Sequence, residues 1–255
     1  INDQYKSIKN LNNLIKKNIE LLKLDNTYTV CTGHQLSLLT GPIYFIYKII
    51  STINLTKILN KKYPEFNFIP IFWMATEDHD FDEISSFNFN GVNYKWNKKK
   101  SGPVGLFDIK GLERLFDLFF EKLEKDNLNS KYLIELVKDS YLKSSNLADA
   151  TRKLVNTIFG NKGIVIIDSN ELLKNPEKVL SQWCMKINIK FDKSMLRWKE
   201  GNHASDGIWW KSWYDNVIKT TRFKQYKKKD INIENKYDSI YNESMKYYSY
   251  LKEAK

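Results

Sequence analysis

The chain has little sulfur, little proline and little histidine. Its 255 residues include two cysteines, five prolines and three histidines. Cys31 and Cys184 cannot supply a zinc quartet or a disulfide framework, so a reducing, cytoplasmic setting is expected. No apolar run approaches the ~20 residues that span a bilayer. The richest stretch, 43–58, is broken by Lys48, Ser51, Thr52, Asn54 and Lys57 and reads as a buried or amphipathic helix. No secretory leader is expected at the start, which is Ile rather than Met. A membrane partner is therefore not expected, and no internal repeat or low-complexity segment is evident.

Core material is plentiful: 42% of the residues are hydrophobic and 14% aromatic, which argues against a disordered chain. The formal net charge is +11 and uneven. Residues 173–255 hold 18 Lys and Arg against 10 Asp and Glu, including the run Lys227–Lys229. A basic tail can attract a polyanion. A solvated lysine-rich surface is the simpler reading, and nucleic acid is not expected as a partner.

The pattern along the chain predicts an α/β fold. Apolar residues at Ile8, Leu11, Leu14, Ile15, Ile19 and Leu22 have helical spacing across 5–24. Tyr28–Cys31 reads as a short strand and Thr32–Thr40 as a loop. A helix then opens at Pro42, where a missing N–H is harmless, and runs to about Lys62 before Tyr63-Pro64. Phe68–Trp73 is an unbroken apolar run, as expected for a strand covered on both faces. Asn90-Gly91 inside the alternating stretch Ser86–Trp96 signals a hairpin. Helices are expected over Leu112–Leu123, Lys131–Tyr141 and Leu147–Phe159, the last capped by Asn146 and closed by Gly160. Gly163–Asp168 is a further buried strand ending in an acid. After Asp168 the character changes, and a domain boundary is expected near 172–175. It divides a layered part, 1–172, from a mostly helical lobe, 173–255, that holds five of the seven tryptophans.

Two strand exits concentrate the polar chemistry, TGHQLSLLTGPIYFIYK from Thr32 and FWMATEDHDFDE from Phe72. In open α/β sheets ligands bind outside the carboxyl ends of the strands. If the two strands are neighbours, both exits face one pocket. In the first exit, Gly33 and Gly41 allow close backbone approach, and a helix N-terminus favours anions. His34, Gln35 and Thr40 can donate hydrogen bonds to phosphoryl oxygens. Lys48, nearly two turns into the helix, reaches back or faces solvent. This is neither GxxxxGK[ST] nor GxGxxG. In the second exit Glu77, Asp78, Asp80, Asp82 and Glu83 repel one another unless cations or basic groups offset them. His79, between two aspartates, suits acid–base work or metal binding, and Mg with a nucleotide is conceivable chemistry. The plainer alternatives are a turn-holding backbone bond for His34, capping for Asp80 and Asp82, and a small buried residue for Cys31 rather than a thiol working with His34.

These segments, together with SGPVGLFDIKGL and NLADATRKLVNTIFGNKGIVIID, resemble the BshC family, the cysteine-adding ligases of bacillithiol biosynthesis. The resemblance covers about residues 1–172. It implies a Rossmann-like parallel sheet with flanking helices, present here in part. It also implies a reaction joining cysteine to glucosaminyl-malate, with ATP activating the cysteine carboxylate by analogy with class I aminoacyl-tRNA-synthetase-like ligases. On that analogy Gly33, His34, Gln35 and the helix N-terminus at Gly41-Pro42 receive the nucleotide phosphates, and Thr32, Thr40 and Lys48 join them as substrate- or nucleotide-binding candidates. Glu77, Asp78, His79 and Asp80 shape the amino-acid or sugar side, with His34, His79 and Asp78 as catalytic candidates. Residues 174–225, with NPEKVLSQWCMKINIKFDKSMLRWKEG and DGIWWKSWYDNVIKTTRF, resemble the C-terminal end of sulfotransferase-like proteins. Two rival readings therefore stand: a catalytically incomplete fusion or fragment that at most binds nucleotide, and a sulfotransferase remnant. The tail's Trp198, Trp209, Trp210 and Trp213 are then expected to be partly exposed.

Overall fold

Backbone hydrogen bonds and two-sided burial, more than propensity, decide the sheet. A computed structural model describes residues 1–6, 8, 11–98, 102–124, 127–169, 172, 175–186, 189–201, 218–223, 240 and 242–244. In chain order the elements are α1 (Asn13–Leu21), β1 (Thr27–His34), α2 (Tyr44–Lys62), β2 (Asn67–Met74), α3 (Phe81–Ile84), β3 (Ser86–Phe89) and β4 (Val92–Lys95). There follow α4 (Leu112–Phe120), α5 (Leu128–Val137), α6 (Leu147–Phe159), β5 (Val165–Asp168) and α7 (Pro176–Lys186).

The apolar run in β2 makes it the central strand. It pairs in parallel with β1 on one side and β5 on the other, in the order β1-β2-β5. Ile69, Pro70, Ile71 and Phe72 are all buried, because α2 lies on one face and the helices around β5 on the other. Phe45 of α2 meets Phe72 edge to face at 5.3 Å. Burying side chains of this size stabilises by roughly 1.5–3 kcal/mol each. β1 is covered more thinly, with Tyr28, Thr29, Cys31 and Gly33 exposed.

β1 is longer than its apolar residues suggest. It continues through Thr32 and Gly33 to His34, which pair in register with Phe72, Trp73 and Met74. The segment expected to open a loop is thus strand, held by the backbone ladder. The expected N-terminal helix is also shorter. Asn12 accepts from the Leu14 N–H and starts α1 there. The preceding turn, Asn2–Tyr5, instead runs along β5. The Asp168 N–H donates to Gln4 Oε1 at 2.8 Å, and the Ile166 N–H donates to Tyr5 Oη at 2.6 Å. Burial pushes the Tyr5 phenol up to about 12.

The hairpin β3–β4 turns at Asn90 and Gly91, both with positive φ. It packs on α4 through Phe87, Phe89 and Tyr94 around Phe119, with centroids 5.2–5.7 Å apart. Asn146 caps α6 by accepting from the Asp149 N–H at 2.8 Å, as the sequence predicts.

Beyond α7, the Trp198 N–H donates to Thr221 and the Gly201 N–H to Ile218. Arg197 bridges Arg222 in antiparallel fashion. This is extended pairing within the lobe expected to be mostly helical. Trp198 is half-buried, meets Phe223 at 5.2 Å and donates through Nε1 to Thr220 Oγ1. Trp209, Trp210, Trp213 and Lys227–Lys229 lie outside the described residues. Among the described residues no helix is long and apolar enough to cross a membrane.

Candidate functional site at the strand exits

The carboxyl ends of β1, β2 and β5 open side by side. Gly33 stands opposite Trp73, His34 opposite Met74, and Met74 opposite Asp168. The two polar exits therefore begin on adjacent parallel strands, with Asp168 and Ser169 as a third contributor.

At the β1 exit, His34 is buried between Tyr44 and Phe45 of α2, each ring centroid 5.0 Å away. Its Nδ1 lies 2.9 Å from the Gln35 carbonyl oxygen. A carbonyl only accepts, so Nδ1 carries the proton and Nε2 the lone pair. Burial first, then the nearby Lys48 charge, holds the imidazole below its usual 6.5. At neutral pH its other nitrogen accepts, unlike the donor role expected for it. Cys31 lies three residues earlier on the same strand, so its side chain points to the opposite face. Partial desolvation also raises its thiol pKa. The two do not form a thiol–imidazole pair.

A base with a lowered folded pKa binds fewer protons folded than unfolded. Its contribution to stability is full above pH 6.5 and is lost as pH falls through the folded value. Replacing His34 by Gln is expected to flatten this acid-side loss. Melting temperatures of both proteins across pH 4.5–7.5 check it; parallel curves would refute it.

The turn after β1 is strained. Leu39 and Thr40 have φ of 49° and 75°, followed by Gly41 at 54°. The Leu39 N–H donates to the fully buried Tyr141 Oη at 2.9 Å. α2 opens at Tyr44, two residues after Pro42 rather than at it, and the Pro42 carbonyl accepts from the Phe45 N–H. No acidic residue occupies the first turn of α2. Lys48 reaches back, its Nζ 3.4 Å from the Gly33 carbonyl oxygen and 5.5 Å from the Tyr44 ring centroid. Thr32 is half-buried on β1 opposite Phe72.

At the β2 exit the acidic cluster is divided among separate partners, which is how it is tolerated. Gln35 Nε2 donates to Asp78 Oδ2 and Glu83 Oε2, both at 2.6 Å. Asp80 caps α3 through the Glu83 N–H at 3.2 Å, and Asp82 pairs with Lys95 at 3.4 Å. The Ser169 hydroxyl donates to Glu77. His79 is exposed, and its N–H donates to Asp78 Oδ1 at 2.6 Å. Among the described residues no group of three or more His, Cys, Asp or Glu side chains converges on a metal geometry.

Several positions escaped the sequence reading. The Thr76 hydroxyl donates to Asp168 Oδ1, and Arg152 Nη2 donates to Asp168 Oδ2 at 3.1 Å. Gly105 N–H donates to the Thr76 carbonyl and Val104 N–H to that of Asp78, so the GPVG segment ties down the acidic exit. A Cβ on Gly105 would lie 2.6 Å from Thr76 Cβ. The only sequence sign was the Gly-Pro spacing itself.

A parallel sheet whose central strand is flanked by β1 and β5, with helices on its faces and polar residues gathered at its carboxyl ends, defines a Rossmann-like α/β domain. The family model described as "Bacillithiol biosynthesis BshC, N-terminal Rossmann-like domain" matches residues 1–204. The chain belongs to the BshC family, and the match runs past residue 172. It is 54% identical over 168 residues to a protein of Flavobacterium johnsoniae, covering 66% of this chain and 31% of that protein. It is 53% identical over 160 residues to one of Flavobacterium psychrophilum, covering 63% and 30%. It is 31% identical over 194 residues to one of Bacillus cereus, covering 72% and 34%. Each is named "Putative cysteine ligase BshC". The chain spans about a third of the length of these relatives.

Proposed function

We propose that this chain forms the crevice-bearing part of a ligase that joins the carboxyl group of cysteine to the amine of glucosaminyl-malate. The family match supports the reading, because it spans both strand exits that meet at the crevice. ATP is the proposed activator. The first turn of α2 has no carboxylate, and Lys48 folds toward the end of β1; both suit an anion at a helix N-terminus. Thr40, Gly41 and Lys48 would hold the phosphates, with Gly33 leaving room beside them. Gln35 is already committed to Asp78 and Glu83, so it shapes the crevice rather than grips phosphate. The triphosphate supplies activation of the carboxylate when bound. Glu77, Asp78 and the exposed His79 line the side where a cationic amine is favoured, since carboxylates there face β1's exit rather than bulk solvent alone.

The test is product formation. The purified chain is incubated with cysteine, glucosaminyl-malate and ATP, and bacillithiol is sought by mass spectrometry. Product above a no-enzyme control, lost on omission of ATP, is the expected result. Product formed equally without ATP would remove the nucleotide from the proposal, and no product at all would remove the ligase activity from this chain.

A further inference from the structure

Glu77 ends a buried hydrogen-bonded chain at the floor of the crevice. That chain starts at Arg152 on α6, which is buried, and passes to its half-buried partner Asp168. Asp168 accepts from Arg152 through Oδ2 and from the Thr76 hydroxyl through Oδ1. Thr76 Oγ1 lies 3.3 Å from Ser169 Oγ, and Ser169 donates to Glu77 Oε2. Thr76 and Ser169 are themselves buried, and Gly105 closes over Thr76.

The hydroxyl arithmetic gives this arrangement two satisfied states. With Glu77 ionised, Ser169 donates to it and Thr76 donates to Asp168. With Glu77 protonated, the carboxyl donates to Ser169 Oγ. The Ser169 hydroxyl then rotates to donate to Thr76 Oγ1, while Thr76 keeps its bond to Asp168. Asp168 keeps its contact with Arg152 in both states. A buried polar group left unpaired costs about 1–3 kcal/mol, and neither state leaves the Thr76 or Ser169 hydroxyl unpaired.

We propose that Glu77 is the proton-accepting carboxylate of the crevice, with Ser169, Thr76, Asp168 and Arg152 as its positioning residues. The assignment rests on the amide-forming reading above. There the amine nitrogen bonds to the activated carboxyl carbon. The C–O bond of the mixed carboxyl–phosphate anhydride breaks, and the nucleoside monophosphate departs with its electron pair. The proton released from nitrogen passes to a Glu77 oxygen. The charged groups around Glu77 suit a base: burial first, then Asp168 from β5 and Asp78 beside it, raise its pKa above the usual carboxylate value. Arg152 is held one residue away by Asp168.

Two measurements on the full chain test this. Carboxyl-detected NMR of ¹³C-glutamate-labelled protein, with the Glu77 signal assigned by its loss in Glu77→Gln, follows the titration directly. Glu77 is expected to titrate above the ordinary glutamate range and to move further up in Ser169→Ala, which removes a donor to the ionised form. Titration in the ordinary range, or no response to Ser169→Ala, overturns the positioning chain. In the product assay Glu77→Gln is expected to lower kcat roughly 10²–10⁴-fold with KM little changed. A wild-type kcat in that variant overturns the base. If the wild-type chain makes no product, the ligase reading falls, and the titration alone decides whether this carboxylate exchanges its proton as assigned.

Discussion

Replacing Arg152 by Met should destabilise the chain by about 3–5 kcal/mol, as expected when one partner of a buried ion pair is removed. The guanidinium and the Asp168 carboxylate are 8% and 14% exposed and 3.1 Å apart. Methionine fills similar space but takes the guanidinium away from the Asp168 charge at the carboxyl end of β5. Thr76 and the Gln4 contact to the strand remain, yet neither carries charge. The pair is not intrinsically a large gain, because both ions had to leave water. The double replacement Arg152→Met, Asp168→Asn is therefore expected to recover much of the loss, since the Asn oxygen still accepts from Thr76. Urea denaturation of the two single variants and the double variant checks this. Additive losses would mean that the two side chains act independently.

The large-scale fold was legible where burial leaves a plain pattern. The run around Ile69–Phe72 has no polar interruption because both faces of β2 are covered. Asn90-Gly91 announces its turn because only such residues enter that backbone region easily. Asn146 announces α6 because its side chain is the cap. What stayed hidden depends on partners far away in sequence. Thr32, Gly33 and His34 have no strand-like alternation, yet β2 holds them in register. Tyr5 looked like the start of an amphipathic helix, with Gln4 just before it. They are drawn to β5, more than 160 residues along the chain, by its edge hydrogen bonds.

The site divided along the same line. The two exits stood out by composition, and the adjacency of their strands follows from the βαβ spacing. The division of labour among the acids did not. A cluster of carboxylates reads as one negative patch until Gln35 is seen bridging two of them, Asp80 is seen capping α3 and Lys95 is seen on Asp82. Arg152 gives no sign in sequence, because one arginine on an amphipathic helix is ordinary. Only the arrival of Asp168 and Thr76 from two other strand ends makes it the anchor of the crevice floor.

Gly41→Ala should cost about 2–6 kcal/mol in total, combining roughly 1–3 kcal/mol of backbone strain with ~1–3 kcal/mol of overpacking. Gly41 has φ 54° and ψ −135°, a combination that a Cβ disfavours. A Cβ built there would overlap Ser37 Cβ, and Ser37 is buried. Neither fault can relax cheaply. The Gly41 N–H donates to the Leu38 carbonyl at 2.8 Å, and Leu39 is fixed by the buried Tyr141 hydroxyl. The turn is thus held at both ends while it swings the chain from β1 into α2. If it yields, it should yield toward α2, moving the helix N-terminus and the Tyr44 and Phe45 rings that enclose His34. Two readings follow from one variant: a lower urea midpoint, and a shift of the His34 ring resonances toward those of an exposed histidine. Ser37→Gly in the same chain removes the Cβ that the added methyl group would strike. It should restore the overlap part of the loss and leave the strain part. Full rescue would assign the whole effect to contact, and no rescue would assign it to backbone conformation.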